Sequence, residues 1–260
     1  MVGARKMTSP AQETAAAAIA IDGISAHYGR GANVIENISF DVRKGETFGL
    51  IGLNGVGKTT LIKIILGLME SSAGSVLLFG RDSGDEESKS MIAYLPEKFE
   101  PPVFLSGFEF IKFSLDLYKR SFDKEAVLAA ADRVSLSREA LGRRVNTYSK
   151  GMRQKLGLMG SWLTGCPLLI LDEPMSGLDP RARVLVKDEI VACRNQGMTV
   201  FLSTHILSDM DELCDRIGII HDKSLRFLGT PAELREKMKN DSLERAFLKI
   251  IENSAGVYES

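Results

Sequence analysis

Gly52-Leu53-Asn54-Gly55-Val56-Gly57-Lys58-Thr59 carries the most specific chemistry in the chain. It fits the spacing Gly-x-x-x-x-Gly-Lys-Ser/Thr, in which glycines let the backbone curl and turn several N–H groups inward. Such donors at a helix N-terminus suit an anion with several oxygens. In that setting Lys58 reaches the β- and γ-phosphates of a nucleotide and Thr59 offers its hydroxyl to Mg²⁺. The plainer alternative is a glycine turn that only caps a helix. Its context weighs against it: a buried strand, Thr47 to Ile51, precedes the loop and a helical pattern, Thr60 to Leu68, follows.

A second candidate is the acidic pair Asp172-Glu173, which ends the apolar run Leu168-Leu169-Ile170-Leu171. Ligands of open parallel sheets bind at the carboxyl ends of strands, which places Asp172 where a metal-bound water would be held. Glu173, one residue on, points elsewhere and can accept a proton from an attacking water. Taken alone, the pair reads as an acidic turn stopped by Pro174. The phosphate loop in the same chain favours the catalytic alternative.

These residues need elements to hold them. Residues 19–28 and 34–42 alternate loosely around a Gly-rich turn, which predicts an antiparallel pair. Further strands are expected at 47–51, 76–79, 91–95, 168–171, 199–203 and 217–220. Helical periodicity covers 60–68, 108–118, 124–134, 152–163, 181–194 and 206–214. A short helix is expected from Pro231 with Thr230 as its cap, and an amphipathic one over 243–251. Strands alternating with helices predict an α/β chain with a parallel sheet, interrupted by a helical insert.

Composition sets limits. The chain has 260 residues, 44% hydrophobic and 26% charged, which is ordinary for a globular protein able to form a large core. Lys and Arg number 33 against 34 Asp and Glu, a balance that argues against a nucleic-acid binder. Cys166, Cys193 and Cys214 are far apart and lack metal-ligand spacing, so reduced, buried thiols are expected. No apolar stretch is long enough to span a membrane, and the start of the chain makes a poor signal peptide. A flexible tail over residues 1–18 is expected.

The ordered set of motifs resembles the nucleotide-binding subunits of ABC transporters over about residues 19–251. Tyr28 matches the aromatic residue that stacks on adenine, and Gly52 to Thr60 the Walker A loop. Tyr148-Ser149-Lys150-Gly151-Met152-Arg153-Gln154 matches the family signature, and Leu168 to Glu173 matches Walker B with the catalytic Glu. Ser176-Gly177-Leu178-Asp179 matches the D-loop, and Ser203-Thr204-His205 the switch histidine. The resemblance implies a P-loop NTPase core of RecA-like type with an N-terminal antiparallel β-subdomain and an inserted helical subdomain. In these terms residues 19–260 form one ATPase domain. Its catalytic core is 19–96 and 166–235, its helical subdomain 97–165 and its C-terminal extension 236–260.

The resemblance also implies ATP and Mg²⁺ as cofactors. Tyr28, Asn54, Gly55, Gly57, Lys58, Thr59 and Thr60 would hold the nucleotide. Ser149, Gly151 and Asp179 would act across a head-to-tail pair of subunits. Lys58, Glu173 and His205 would serve hydrolysis, with His205 sensing the γ-phosphate. Thr59, Asp172 and Glu97 would face the metal. The implied partners are a second ATPase subunit, a copy or a paralogue, and an integral-membrane permease on a separate chain. The place implied is the cytoplasmic face of the membrane, held peripherally, with no role for nucleic acid.

Two departures matter. The usual signature is Leu-Ser-Gly-Gly-Gln, and Tyr148, Lys150 and Met152 differ from it, whereas Ser149 and Gly151 remain. Glu97, in Tyr94-Leu95-Pro96-Glu97, stands where the family often has Gln; some exporter-type members look like this, which implies export. Six of the phenylalanines fall between Phe99 and Phe122. They form the core of the helical lobe, or a groove for a helix of a membrane partner, or both. The alternative function is a soluble ATPase acting as a mechanical switch without a permease. A GTPase-type switch is disfavoured because the chain lacks the guanine-reading Asn-Lys-x-Asp pattern.

Overall fold

The computed structural model describes residues 17–29 and 31–255. Two sheets stack through a shared apolar layer. The first is antiparallel, in the order β2-β1-β4-β5, from β1 (Ala17–His27), β2 (Asn33–Arg43), β4 (Ala73–Leu78) and β5 (Arg81–Asp82). β1 lies in its middle, paired with β2 from Ala17↔Arg43 to His27↔Asn33. Ala17 and Ala18 are buried in this strand, so the last two residues of the expected tail belong to the sheet. Their methyl groups pack into the sheet, although alanine is a poor strand former. Residues 1–16, the rest of that expected tail, lie outside the described residues.

The second sheet runs β10-β9-β3-β8-β7-β6, from β3 (Thr47–Ile51), β6 (Ile92–Leu95), β7 (Leu168–Asp172), β8 (Thr199–Thr204), β9 (Arg216–His221) and β10 (Ser224–Gly229). All its pairs are parallel except β9 with β10. Every residue of β3, β7 and β8 is buried, as expected of parallel strands covered on both faces. Register then positions the chemistry. Ile51 lies opposite Thr204, Asp172 opposite Ser203, and Leu95 opposite Leu171, so four strands end side by side.

Alternation along β7 divides the core. Leu168 and Ile170 face the antiparallel sheet together with Phe48, Phe201 and helix α1 (Lys58–Ile65). Phe48 stacks between Phe40 and Phe201, with ring centroids 5.1 and 5.7 Å away. Leu169 and Leu171 face the other way. On that side lie α3 (Gly107–Leu117), α4 (Lys124–Arg133), α6 (Lys150–Leu163), α7 (Pro180–Asn195) and α8 (Leu207–Leu213). Short α2 (Glu86–Ser90) and α5 (Arg138–Leu141) complete the helices before β7. The helical lobe therefore shares its core with the sheet.

The helices start where their caps allow. Ser106 and Glu109 form a capping box on α3, and Thr230 and Glu233 form one on α9 (Pro231–Met238). α6 starts at Lys150, two residues before its apolar periodicity does, because Ser149 caps it. α10 (Leu243–Ala255) packs Leu243, Ala246, Phe247 and Ile250 into the main core. α9 spans the boundary expected between residues 235 and 236, so that expected boundary falls inside a helix. Two strands, like the short helices α2 and α5, have no counterpart among the expected elements. β5 is only two residues long, and β10 buries only Phe227, so it carries no apolar run. Among the described residues, no helix is long and apolar enough to cross a membrane.

Candidate functional site

The loop from Gly52 to Gly57 joins β3 to α1 at the line of strand ends. Gly57, the N-cap of α1, has φ of 106°, and a Cβ there would stand 2.4 Å from Ile35 Cγ2. Both the backbone conformation and the space require glycine. Lys58 folds back across the loop, donating from Nζ to the carbonyls of Gly52 at 2.6 Å and Leu53 at 3.3 Å. Burial lowers its pKa, while the carboxylates of Glu173, Asp172 and Glu97 act the other way.

Asp172 is buried at the end of β7. Its Oδ2 accepts from Thr59 Oγ1 at 3.2 Å, and its Oδ1 accepts from the Ser203 hydroxyl. Burial pushes its pKa up against these two hydrogen bonds, and nearby Glu97 adds to the rise. Burial likewise drives the Tyr94 phenol to about 12, with the charges of Asp172 and Glu97 adding to it.

Glu173 ends the strand with a left-handed backbone, φ of 50°. Its N–H holds that turn by donating to the Ser203 carbonyl at 3.1 Å and the Ser203 hydroxyl at 3.2 Å. Its Oε1 lies 2.9 Å from His205 Nδ1. His205 follows β8 directly and is half exposed, so one ring edge meets Glu173 while the rest stays open to solvent.

A cleft of about 530 Å³ opens over these groups. Its lining gathers Tyr28, Asn54, Gly55, Gly57, Lys58, Thr59, Thr60, Glu97, Asp172 and Glu173, together with Val34 and Lys98. Tyr28 stands exposed at the rim, its hydroxyl 2.9 Å from Thr60 Oγ1, which fixes the ring beside the loop. The size suits a bound small molecule. Loop N–H groups and Lys58, with the exposed aromatic ring of Tyr28 at the rim, suit a molecule with a phosphate tail and a flat ring.

Ser149, Gly151 and Asp179 do not line this cleft. The Ser149 hydroxyl accepts from Met152 N–H at 3.2 Å, capping α6, and its own proton stays available to an acceptor. A Cβ added at Gly151 would stand 3.3 Å from the Gly177 carbonyl oxygen, so the signature abuts the Ser176–Asp179 turn. Asp179 caps α7, with Oδ1 accepting from Ala182 N–H at 2.9 Å.

Ser203 and Gln154 carry no individual role in the sequence motifs. Ser203 holds both acidic residues, as described. The signal was available in part: Ser203 closes the apolar strand run that leads into His205. Buried Gln154 donates to the Pro174 carbonyl at 2.9 Å, tying α6 to the turn after Glu173. The phenylalanines between 99 and 122 differ in exposure. Phe99 and Phe110 pack edge to face within the lobe, whereas Phe104 and Phe113 are exposed. The three cysteines are free thiols and buried, as expected.

Among the described residues, no three His, Cys, Asp or Glu side chains gather into a metal cage. The oxygens that the cleft does offer, from Thr59, Asp172 and Glu97, fit a hard cation such as Mg²⁺. That ion is commonly bound by one or two carboxylates together with substrate phosphates.

Comparison with known proteins gives a consistent result. Residues 35–176 match the family model described as ABC transporter. The chain is 39% identical over 203 residues to an uncharacterized ABC transporter ATP-binding protein of Synechocystis, covering 77% of this chain and 57% of that protein's length. It is 33% identical over 224 residues to the fluoroquinolones export ATP-binding protein of Mycobacterium tuberculosis, covering 84% of this chain and 72% of the relative. A solved ATP-binding subunit of an ABC transporter superposes with a TM-score of 0.81 at 30% identity, covering 89% of this chain and 98% of that one.

Proposed function

Because the chain belongs to the ABC transporter family of ATP-binding proteins, we propose that it is the subunit that binds and hydrolyses ATP to drive transport through a membrane permease carried on another chain. The observation that carries this reading is the single cleft uniting the phosphate loop, Tyr28, Asp172 and Glu173. Adenine stacks on Tyr28, and the loop N–H groups and Lys58 hold the β- and γ-phosphates. Thr59 and Asp172 hold Mg²⁺, with Glu97 on the same wall. The ion, when bound, neutralises charge on the phosphate oxygens. Glu173 takes the proton of the attacking water, a contribution of about 10²–10⁴ in rate. His205, already against Glu173, reaches the γ-phosphate and registers its loss.

The cleft is incomplete in one copy, since Ser149, Gly151 and Asp179 lie outside it. In the proposed arrangement two subunits meet head to tail, and the N-terminus of α6 faces the γ-phosphate held by the other copy. Free N–H groups, the helix dipole and the unused proton of Ser149 suit that phosphate. Lys150, exposed beside them, adds positive charge. ATP then closes the pair and hydrolysis reopens it. Residues 19–260 act as one ATPase domain in this reading.

A membrane partner is supported by the apolar groove beside α3. It holds about 210 Å³ between Phe99, Phe110, Phe113, Leu117 and Gly157, and suits a helix from a permease. Such docking places the chain peripherally on the cytoplasmic face. Export is favoured by Pro96-Glu97, by the Tyr-Ser-Lys-Gly-Met signature, and by a relative named for fluoroquinolone export. The test is to purify the tagged chain from membranes in mild detergent and assay the complex for Mg²⁺-dependent ATPase activity. A co-purifying polytopic membrane protein and turnover abolished by Glu173→Gln are expected. An active ATPase that never retains a membrane protein would instead favour a soluble mechanical switch.

A further inference from the structure

Asp209 is a buried acid for which the scheme above has no use. It sits in the first turn of α8, 1% exposed, with a cation on each oxygen. Arg183 Nη2 lies 2.7 Å from Oδ2 and Lys187 Nζ lies 3.2 Å from Oδ1. Both cations come from α7, four residues apart, so they reach out from one helix face. Lys187 extends the contact to Glu212 at the surface. A carboxylate so enclosed is tolerated only when paired, so both helices are committed to this geometry.

The two helices lead directly to the proposed hydrolytic groups. From Glu173 the chain runs through Ser176 to Asp179, which caps α7, and Arg183 lies one turn further on. From Ser203 it runs through His205 into α8, with Asp209 one turn beyond His205. The contact of 2.9 Å between His205 Nδ1 and Glu173 Oε1 closes a ring. Beneath it, α8 rests on β3, where the Met210 sulfur fills the place of a Gly49 side chain, 2.2 Å from an added Cβ. That apolar seat holds α8 on the sheet, and the ion pairs fix its orientation toward α7.

We propose that Asp209, gripped by Arg183 and Lys187, is a positioning residue that holds His205 against Glu173. The proposal rests on the reading of Glu173 and His205 as the hydrolytic pair. Arg183→Met is the sharper test, because Lys187 still pairs the buried acid and the fold is kept. Asp209→Asn is the second variant.

In the purified full chain Arg183→Met lowers kcat for ATP by about tenfold with KM within about twofold, and Arg183→Lys restores most of it. Combined with His205→Ala, Arg183→Met adds no further loss, because both act on one contact. Without nucleotide, backbone amides of residues 205–207 exchange about tenfold faster in Arg183→Met and in Asp209→Asn, while those of β8 keep their protection. Unchanged exchange at 205–207, or losses that multiply in the double variant, overturns the proposal. A wild-type chain without ATPase activity would remove the underlying reading instead, and the exchange result would still decide the clasp.

Discussion

Replacing Ser203 by alanine removes one oxygen and two contacts of the proposed site. The hydroxyl donates to Asp172 and accepts from the Glu173 N–H. The second loss is softened, because that N–H keeps the Ser203 carbonyl at 3.1 Å. The first is not, because Asp172 is buried and retains only Thr59 among these donors. A hydrogen bond to a charged group contributes about 1.5–3 kcal/mol. At about 2–4 °C per kcal/mol for a chain of this size, a loss near 2 kcal/mol lowers Tm by about 4–8 °C. Expressed in catalysis, the same range lowers kcat/KM by about 10- to 150-fold. The fall appears in Mg²⁺-dependent turnover, whereas ATP binding in excess chelator stays near wild type, since Lys58 and the loop are untouched. Differential scanning fluorimetry and a coupled ATPase assay read both quantities. A Tm within about 1 °C of wild type together with kcat/KM within about twofold would refute this account of Ser203.

Further outcomes follow from other parts of the structure. Lys58→Ala weakens ATP binding by about 10- to 100-fold in fluorescence titration, the scale of one charge-assisted hydrogen bond; unchanged affinity contradicts the placing of the phosphates. Glu46, buried beside Arg216, has its pKa raised by burial, so the folded state holds its proton to a higher pH than the unfolded chain. Native stability from this group therefore falls as pH rises from 4.5 through the raised value. In urea melts, Glu46→Gln gains on wild type between the acid end of that window and neutrality, and a constant difference speaks against it. Burial raises Cys193 to about 11 and also raises Cys166 and Cys214. Iodoacetamide at neutral pH then labels none of the three in the native protein within minutes and all three after unfolding, so rapid native labelling would contradict their enclosure.

Some of this site was legible in sequence because its parts are contiguous. Gly52 to Thr59 announces a phosphate loop by spacing, and Asp172-Glu173 announces itself by ending an apolar run. The structure brings these two segments into one cleft through the parallel register of β3, β8 and β7. Contacts between distant side chains were not legible. The bond between Tyr28 and Thr60, the hold of Ser203 on Asp172 and the grip of Arg183 on Asp209 each join residues far apart in sequence. No local pattern encodes them, since they depend on which strand lies beside which. The start of α6 shows a second limit. Periodicity begins at Met152, but the cap at Ser149 extends the helix over Lys150 and Gly151. At the other extreme, Ala17 and Ala18 read as tail because their composition says little, yet the sheet buries them.

In the proposed arrangement two copies complete each other's nucleotide site. Sedimentation velocity of Glu173→Gln with saturating ATP and Mg²⁺ tests it most directly, because that variant keeps the shape of the site while removing the base. The account predicts a species of twice the subunit mass that appears with ATP and is lost when Ser149→Arg is added. A subunit-sized species alone, under nucleotide shown by titration to be bound, would contradict it.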